Sequence, residues 1–482
     1  MLFGSSQSPA PIILQVTLTF WETDPQVELS LVRNVETSDQ GQSWRVPARD
    51  LGVPDGIDAN TTLSLNLPKE VTDAIASSLA GEPKTLPLWL RFAKPHGYVG
   101  ALPWERTLIA ALGRPILRFP DLLQRPHENR DVFELAVCLD ADRTTPPDKL
   151  QQQASQIVET ILRASPRAQT RIHLFTPSFW YQVLKSGSFD KRVQLHDPST
   201  APTYGEAIAR GRSSESGRPQ SPWSIWMREA LGERSLDAVY FVCSSGMSEF
   251  GPAVRMSNSP SPKEKYDVWC YVDVIELVAL VTQTGAWAAL FSEPAGNSPG
   301  PILALVADAM AHTRPTSVLY QALTGAEQMA SLQAACAFLF ASRWAPAPLL
   351  ADGFVYCPPS YVEAYANLHV SSVLPATELN ASVFDSASLW DRTRAYVTPY
   401  IPIVQNYEIK QAPSWAMAAQ RQSEMLALDR LRRNSSDVLL SSSESARIQV
   451  SPDAHLSTPG ASEDTLADIQ KVIGDYLRKT GG

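Results

Sequence analysis

Hydrophobic and polar positions change rhythm near residue 131. Upstream, apolar residues alternate with polar ones in short runs, and Ile12 to Phe20, Val27 to Val35 and Thr61 to Leu67 each predict a β-strand between turn-forming clusters. Lys69 to Leu79 shifts to helical spacing, with Ala74, Ile75 and Leu79 on one side to cover a sheet face. Leu86 to Arg91 reads as a further strand, leading through Lys94-Pro-His-Gly97 to Leu102-Pro-Trp-Glu105. There the indole of Trp104 is expected to pack, and the Glu105 carboxylate to hold backbone N–H groups.

Downstream, strand and helix patterns alternate, which predicts an α/β sheet covered by helices on both faces. Phe133 to Leu139, Arg171 to Phe175, Ala238 to Val242, Ala286 to Phe291 and Ser317 to Gln321 read as strands, and Arg192 to Leu195 as an edge strand. Asp148 to Arg163, Phe179 to Leu184, Val272 to Thr284, Ile302 to His312 and Ala326 to Ala341 read as helices. Ser213 to Pro222, rich in Ser, Gly and Pro, reads as an exposed loop.

The pattern divides the chain into a β-rich region over 1–130, an α/β domain over 131–345, and an irregular and helical extension over 346–433, with a helical pattern from Ser414 to Arg433. A Ser- and Asp-rich stretch, 434–461, reads as a disordered linker. The last segment, 462–482, starts on Ser462-Glu-Asp-Thr465 and carries Leu466, Ile469, Val472, Ile473, Tyr476 and Leu477 as one apolar stripe. An amphipathic helix on a tether suits docking on a protein partner.

Charge and composition narrow the function classes. A net charge of −9 argues against nucleic acid or an anionic membrane as partner. The longest apolar run, Val272 to Val281, is interrupted by Asp273 and Glu276 and is too short to span a bilayer. The start of the sequence lacks the basic and apolar regions of a signal peptide, and the five scattered cysteines fit a reduced, cytoplasmic protein. There is no Walker-type loop, no G-x-G-x-x-G and no H-E-x-x-H, so no cofactor and no metal site are expected.

Two strands end in polar tips, Cys243-Ser-Ser-Gly246 and Ser292-Glu-Pro294. Their setting resembles the CHAT family of caspase-like domains, found in bacterial regulatory and defence proteins. The resemblance rests on Pro103-Trp-Glu105, the following Leu112-Gly-Arg-Pro-Ile-Leu-Arg118, and the later rhythm of Gly285 to Phe291, Ile302 to Met310 and Pro315 to Tyr320. It covers residues 12 to 342 and implies a caspase-type sheet with catalytic His and Cys at its strand ends. The His would precede a Gly where this chain has Ser245-Gly246, and the Cys would stand where it has Ser292.

An imidazole holds a cysteine as thiolate, whereas serine needs a strong, well-placed base. The resemblance therefore implies a degenerate dyad and a retained cleft lined by Ser244, Ser245, Gly246, Ser292 and Glu293. Three functions are compatible with this. The first is a caspase-like scaffold or regulatory subunit in a hetero-assembly, by analogy in bacterial antiviral defence or signalling. The second is a cysteine peptidase with a rearranged pair, Cys243 or Cys270 with His196 (beside Asp197) or His173. The third is a filament or shell subunit that assembles through the aromatic, proline-rich stretch from Trp344 to Tyr407.

Overall fold

A computed structural model describes residues 12–356 except 20–24, 33–41, 55, 59–60, 94–95, 121–130, 166, 168, 214–220, 233, 249–250, 265–268, 296–299, 324–325 and 343–344. The helical pattern over 414–433, the linker, the C-terminal stripe and most of the Ser213 to Pro222 loop lie outside the described residues.

The N-terminal elements are strands β1 (Ile13–Thr19), β2 (Gln26–Val32) and β3 (Ser43–Pro47), helices α1 (Ala48–Leu51) and α2 (Lys69–Ser78), strand β4 (Leu88–Ala93), helix α3 (Trp104–Leu112) and strand β5 (Ile116–Arg118). Then come β6 (Val132–Asp140), α4 (Pro147–Ala164), β7 (Gln169–Phe175), α5 (Ser178–Lys185), β8 (Val193–Leu195), α6 (Tyr204–Ser213) and α7 (Pro222–Leu231). The remainder is β9 (Ala238–Ser248), β10 (Gly251–Ser257), β11 (Trp269–Asp273), α8 (Val274–Gln283), β12 (Ala288–Ser292), α9 (Pro301–Thr313), β13 (Ser317–Gln321), α10 (Ala326–Leu339) and β14 (Gly353–Tyr356).

These 14 strands form one mixed α/β sheet, ordered β3-β2-β1-β4-β5-β14-β13-β12-β9-β6-β7-β8, with β10 and β11 added to the far end of β9. Six neighbouring strands, β13, β12, β9, β6, β7 and β8, run parallel. Strict alternation along them feeds two apolar layers. Leu135, Val137 and Leu139 pack with α4, α5 and α10, whereas Ala136 and Cys138 face α7, α8 and α9. Among the described residues no helix is long and apolar enough to cross a membrane.

Several elements differ from the sequence expectation. Thr61 to Leu67 is irregular: Asn66 donates to the Leu51 carbonyl, and Leu65 fills the N-terminal core without a ladder. The third strand there is β3 instead, which pairs with β2. The apolar run from Val272 splits because the Asp273 carboxylate accepts from Glu276 N and caps α8, leaving Val272 in β11. The polar tip at Cys243 is no loop, since β9 continues to Ser248 and folds back on β10.

The expected irregular extension contributes a central strand at its start. β14 pairs antiparallel with β13 through four residue pairs and parallel with β5 through Tyr356 and Arg118. It joins the N-terminal strands to the parallel array. Helix α9 reinforces the joint by contributing Ile302 and Leu305 to the N-terminal core and Leu303, Val306 and Met310 to the core behind the parallel strands.

Candidate functional site

β9 and β12 are hydrogen-bonded neighbours, with Ser292 opposite Val242, so the two polar tips do lie side by side. Alternation separates their serines. Ser244, two residues beyond Val242, shares the face of Ser292, while Ser245 turns to the other face with its partner Val254 and Cys243. Gly246 is boxed in, because a Cβ there would stand 2.6 Å from Cε1 of Tyr271.

Ser292 is completely buried. Its Oγ donates to the Gln321 carbonyl at 2.7 Å, and with its one proton so committed it accepts from Tyr240 Oη at 2.8 Å. Glu293 is also buried; Oε1 accepts from Gly300 N and Tyr320 Oη, while Oε2 meets no partner among the described residues. Burial pushes this carboxyl up to about 7. Its backbone carbonyl accepts from Gln153 of α4, which fixes the strand end from below.

The sheet changes direction of winding between β6 and β9, the place where open α/β sheets bind ligands beyond the strand ends. Here the β10–β11 ribbon occupies that place. Asp140, last in β6, accepts from Ser257 N, and burial raises it to about 7. Arg255 reaches Asp142 at 3.0 Å and lies over the Trp269 ring.

The rearranged cysteine–histidine pair is not assembled. Cys243 is fully buried and its thiol donates to the Cys138 carbonyl at 3.5 Å. Cys270 donates to the Ser257 carbonyl, and burial with nearby Glu276 raises its thiol far above the usual range. His173 stands opposite Ala136 on β6, and Cys243 opposite Asp140, four positions further on. At the rise of an extended strand that offset is roughly 13 Å.

The two histidines instead partner each other. His173 Nδ1 lies 3.0 Å from His196 Nε2, and His173 Nε2 lies 3.1 Å from Glu134. A carboxylate can only accept, so His173 donates from Nε2 and takes the proton of His196 at Nδ1. His196 stacks on Phe175 with ring centroids 4.3 Å apart. Burial, then the nearness of His173 and Arg234, lowers His196 to about 4. Asp197 does not serve His196; its carboxylate caps a short turn at Ser199 N.

A dense, buried polar cluster lies elsewhere, around the Pro-Trp-Glu segment. Trp104 starts α3 with its indole N–H on the Val99 carbonyl. Glu105 does not hold backbone N–H groups as expected; it grips the Arg118 guanidinium through both oxygens, at 2.7 and 3.1 Å. Arg118 also donates to the Gly100 carbonyl and to Asp308 of α9, and lies 3.7 Å from the Phe354 ring centroid. Asp308 further receives Tyr356 Oη and His96 Nε2. Burial opposes its ionisation, yet His96, His312 and Arg118 outweigh it and hold the carboxyl well below its usual range.

Sequence reasoning missed His96, Asp308, His312 and Tyr356, although a lone aspartate in the apolar run Ile302 to Met310 was a signal.

Two measurements test this geometry. Arg118→Met leaves two buried carboxylates without their guanidinium and is expected to cost about 3–5 kcal/mol in urea unfolding. For His196 the sign is set by its lowered folded value: the neutral ring contributes its full stability above the ordinary histidine pKa of about 6.5. That contribution drains away as pH falls from there to about 4, where the folded protein also takes the proton. A loss on the order of 2 kcal/mol over this window is expected, and His196→Gln should flatten the slope. No family model, curated protein or solved structure matches the chain.

Proposed function

We propose that this chain is a CHAT-like, caspase-type protein with a degenerate dyad, acting as a scaffold or regulatory subunit through protein–protein binding. One observation carries the reading. The residue standing where the resemblance puts the nucleophile, Ser292, is sealed from solvent and has both its donor and an acceptor site committed to Gln321 and Tyr240. A serine in that state has no base and no path to a substrate.

Further support comes from the neighbouring placement of β9 and β12 and from the Glu105–Arg118 pair, which links the Pro-Trp-Glu segment to the arginine that ends the following Leu112 to Arg118 stretch. The resemblance makes an assembly in bacterial defence or signalling the natural setting. The tethered stripe Leu466 to Leu477 then supplies the contact with a protein partner.

The reading is tested with a thiol-reactive, peptide-based activity probe on the native protein. No cysteine should be labelled at the rate of an active peptidase. Fast labelling that disappears in Cys243→Ala or Cys270→Ala would establish the rearranged peptidase instead. In parallel, gentle affinity capture from the native cells should yield a stoichiometric partner that is lost on truncation at residue 461.

A further inference from the structure

We propose that His96, Asp308 and His312 form a structural site for a divalent transition metal of the zinc class, which pins the N-terminal half of the sheet to helix α9. The three ligand atoms lie within 4.8 Å of one another, and all three residues are buried. Asp308 and His312 are four apart on one helix and so share a face. His96 precedes the short 3-10 helix Gly97–Ala101 that follows β4, on the other side of the joint.

The distances are close to those of a coordination shell. His96 Nε2 is 2.8 Å from Asp308 Oδ2, the oxygen free to ligate, and His312 Nε2 is 3.9 Å from the other oxygen, Oδ1. Zinc–ligand bonds of about 2.0–2.1 Å set tetrahedral ligands roughly 3.3 Å apart. Side-chain rotations on the scale of a few tenths of an ångström to one ångström close the difference. Tyr356 Oη, 3.2 Å from His312 Nε2, bounds the cluster on the side of β14.

The surroundings match what a ligating carboxylate needs. Its outer oxygen is oriented by Arg118 and Tyr356, the arrangement of hydrogen bonds that fixes metal ligands in place. Two imidazoles with one carboxylate favour zinc, cobalt or nickel over magnesium or calcium, which take oxygen sets. Glu105 and Asp308 place two carboxylates beside one guanidinium in a dry cluster, and a positive charge at the histidines, metal ion or proton, balances the second. Full enclosure makes the site structural, since a catalytic metal keeps an open position.

The alternative occupant is a proton shared between His96 and Asp308, and metal titration separates the two. Untagged full-length protein is stripped with a chelator and titrated with Co²⁺. One equivalent should bind, with the visible d–d bands of a tetrahedral site, and Zn²⁺ should displace it and raise the melting temperature by several degrees. His312→Gln and His96→Gln should each weaken Co²⁺ binding at least tenfold. A folded wild-type chain that shows no Co²⁺ bands and holds no metal by elemental analysis would assign the cluster to the proton and overturn the proposal. Bands that persist unchanged in folded His312→Gln would do the same; should His96→Gln fail to fold, the wild-type titration and His312→Gln decide.

Discussion

A carboxylate set into a helix that is otherwise sealed in hydrocarbon is the constraint around which this fold is arranged. Removing a charge from water costs several kcal/mol, so Asp308 persists only if partners reach it. They come from three distant parts of the chain: His96 after β4, Arg118 at the end of β5 and Tyr356 at the end of β14. Arg118 is short of slack because Glu105 clamps it from behind, and the backbone of Gly100 leaves no room for a side chain beside Asp308. The pairing thereby sets the register between two halves of a sheet whose direct strand contact, among the described residues, is a single bridge, Tyr356 with Arg118. Apolar packing alone would allow them to slide, since burial energy has little directional preference.

The strand tips are governed by a different rule, the alternation of a pleated strand. Position 292 can look toward position 244 and never toward 245, whatever residues occupy them. A site needing groups from both tips therefore depends on register to the single residue. At Ser292 that register serves packing: the hydroxyl closes a link between β9 and β13, from Tyr240 to the Gln321 carbonyl. Glu293 beside it keeps a buried oxygen without a partner among the described residues, at a cost usually met by neutralising the group.

How much of this could be read from the residues depended on range. β6, β7, β12, β13, α4 and α9 appear close to where their periodicity puts them, because those segments are long, apolar and locally punctuated. α7 went unread although Ser221-Pro222 is a capping signal, its pattern masked by three aromatic and apolar residues in a row. β10 and β14 carry little local signal; they are strands because a long β9 and an open edge of β13 offer ladders to them. The polar cluster around Asp308 draws on positions up to 260 apart in the chain, a distance over which no spacing rule operates, so only its Pro-Trp-Glu and Arg118 portion was visible.

The central position of β14 also orders events in time. On a ribosome, the residues of β1 to β13 emerge before residues 353–356, and until those arrive β5 and β13 each lack the neighbour that completes their ladder. Closing the gap brings Tyr356 to Arg118 across 238 positions, a step of high sequence separation that is slow relative to local folding. Synthesis of this chain thus passes through a stage with two sticky edges facing one another. A short strand at the end of the described residues decides whether they meet each other or a neighbouring chain.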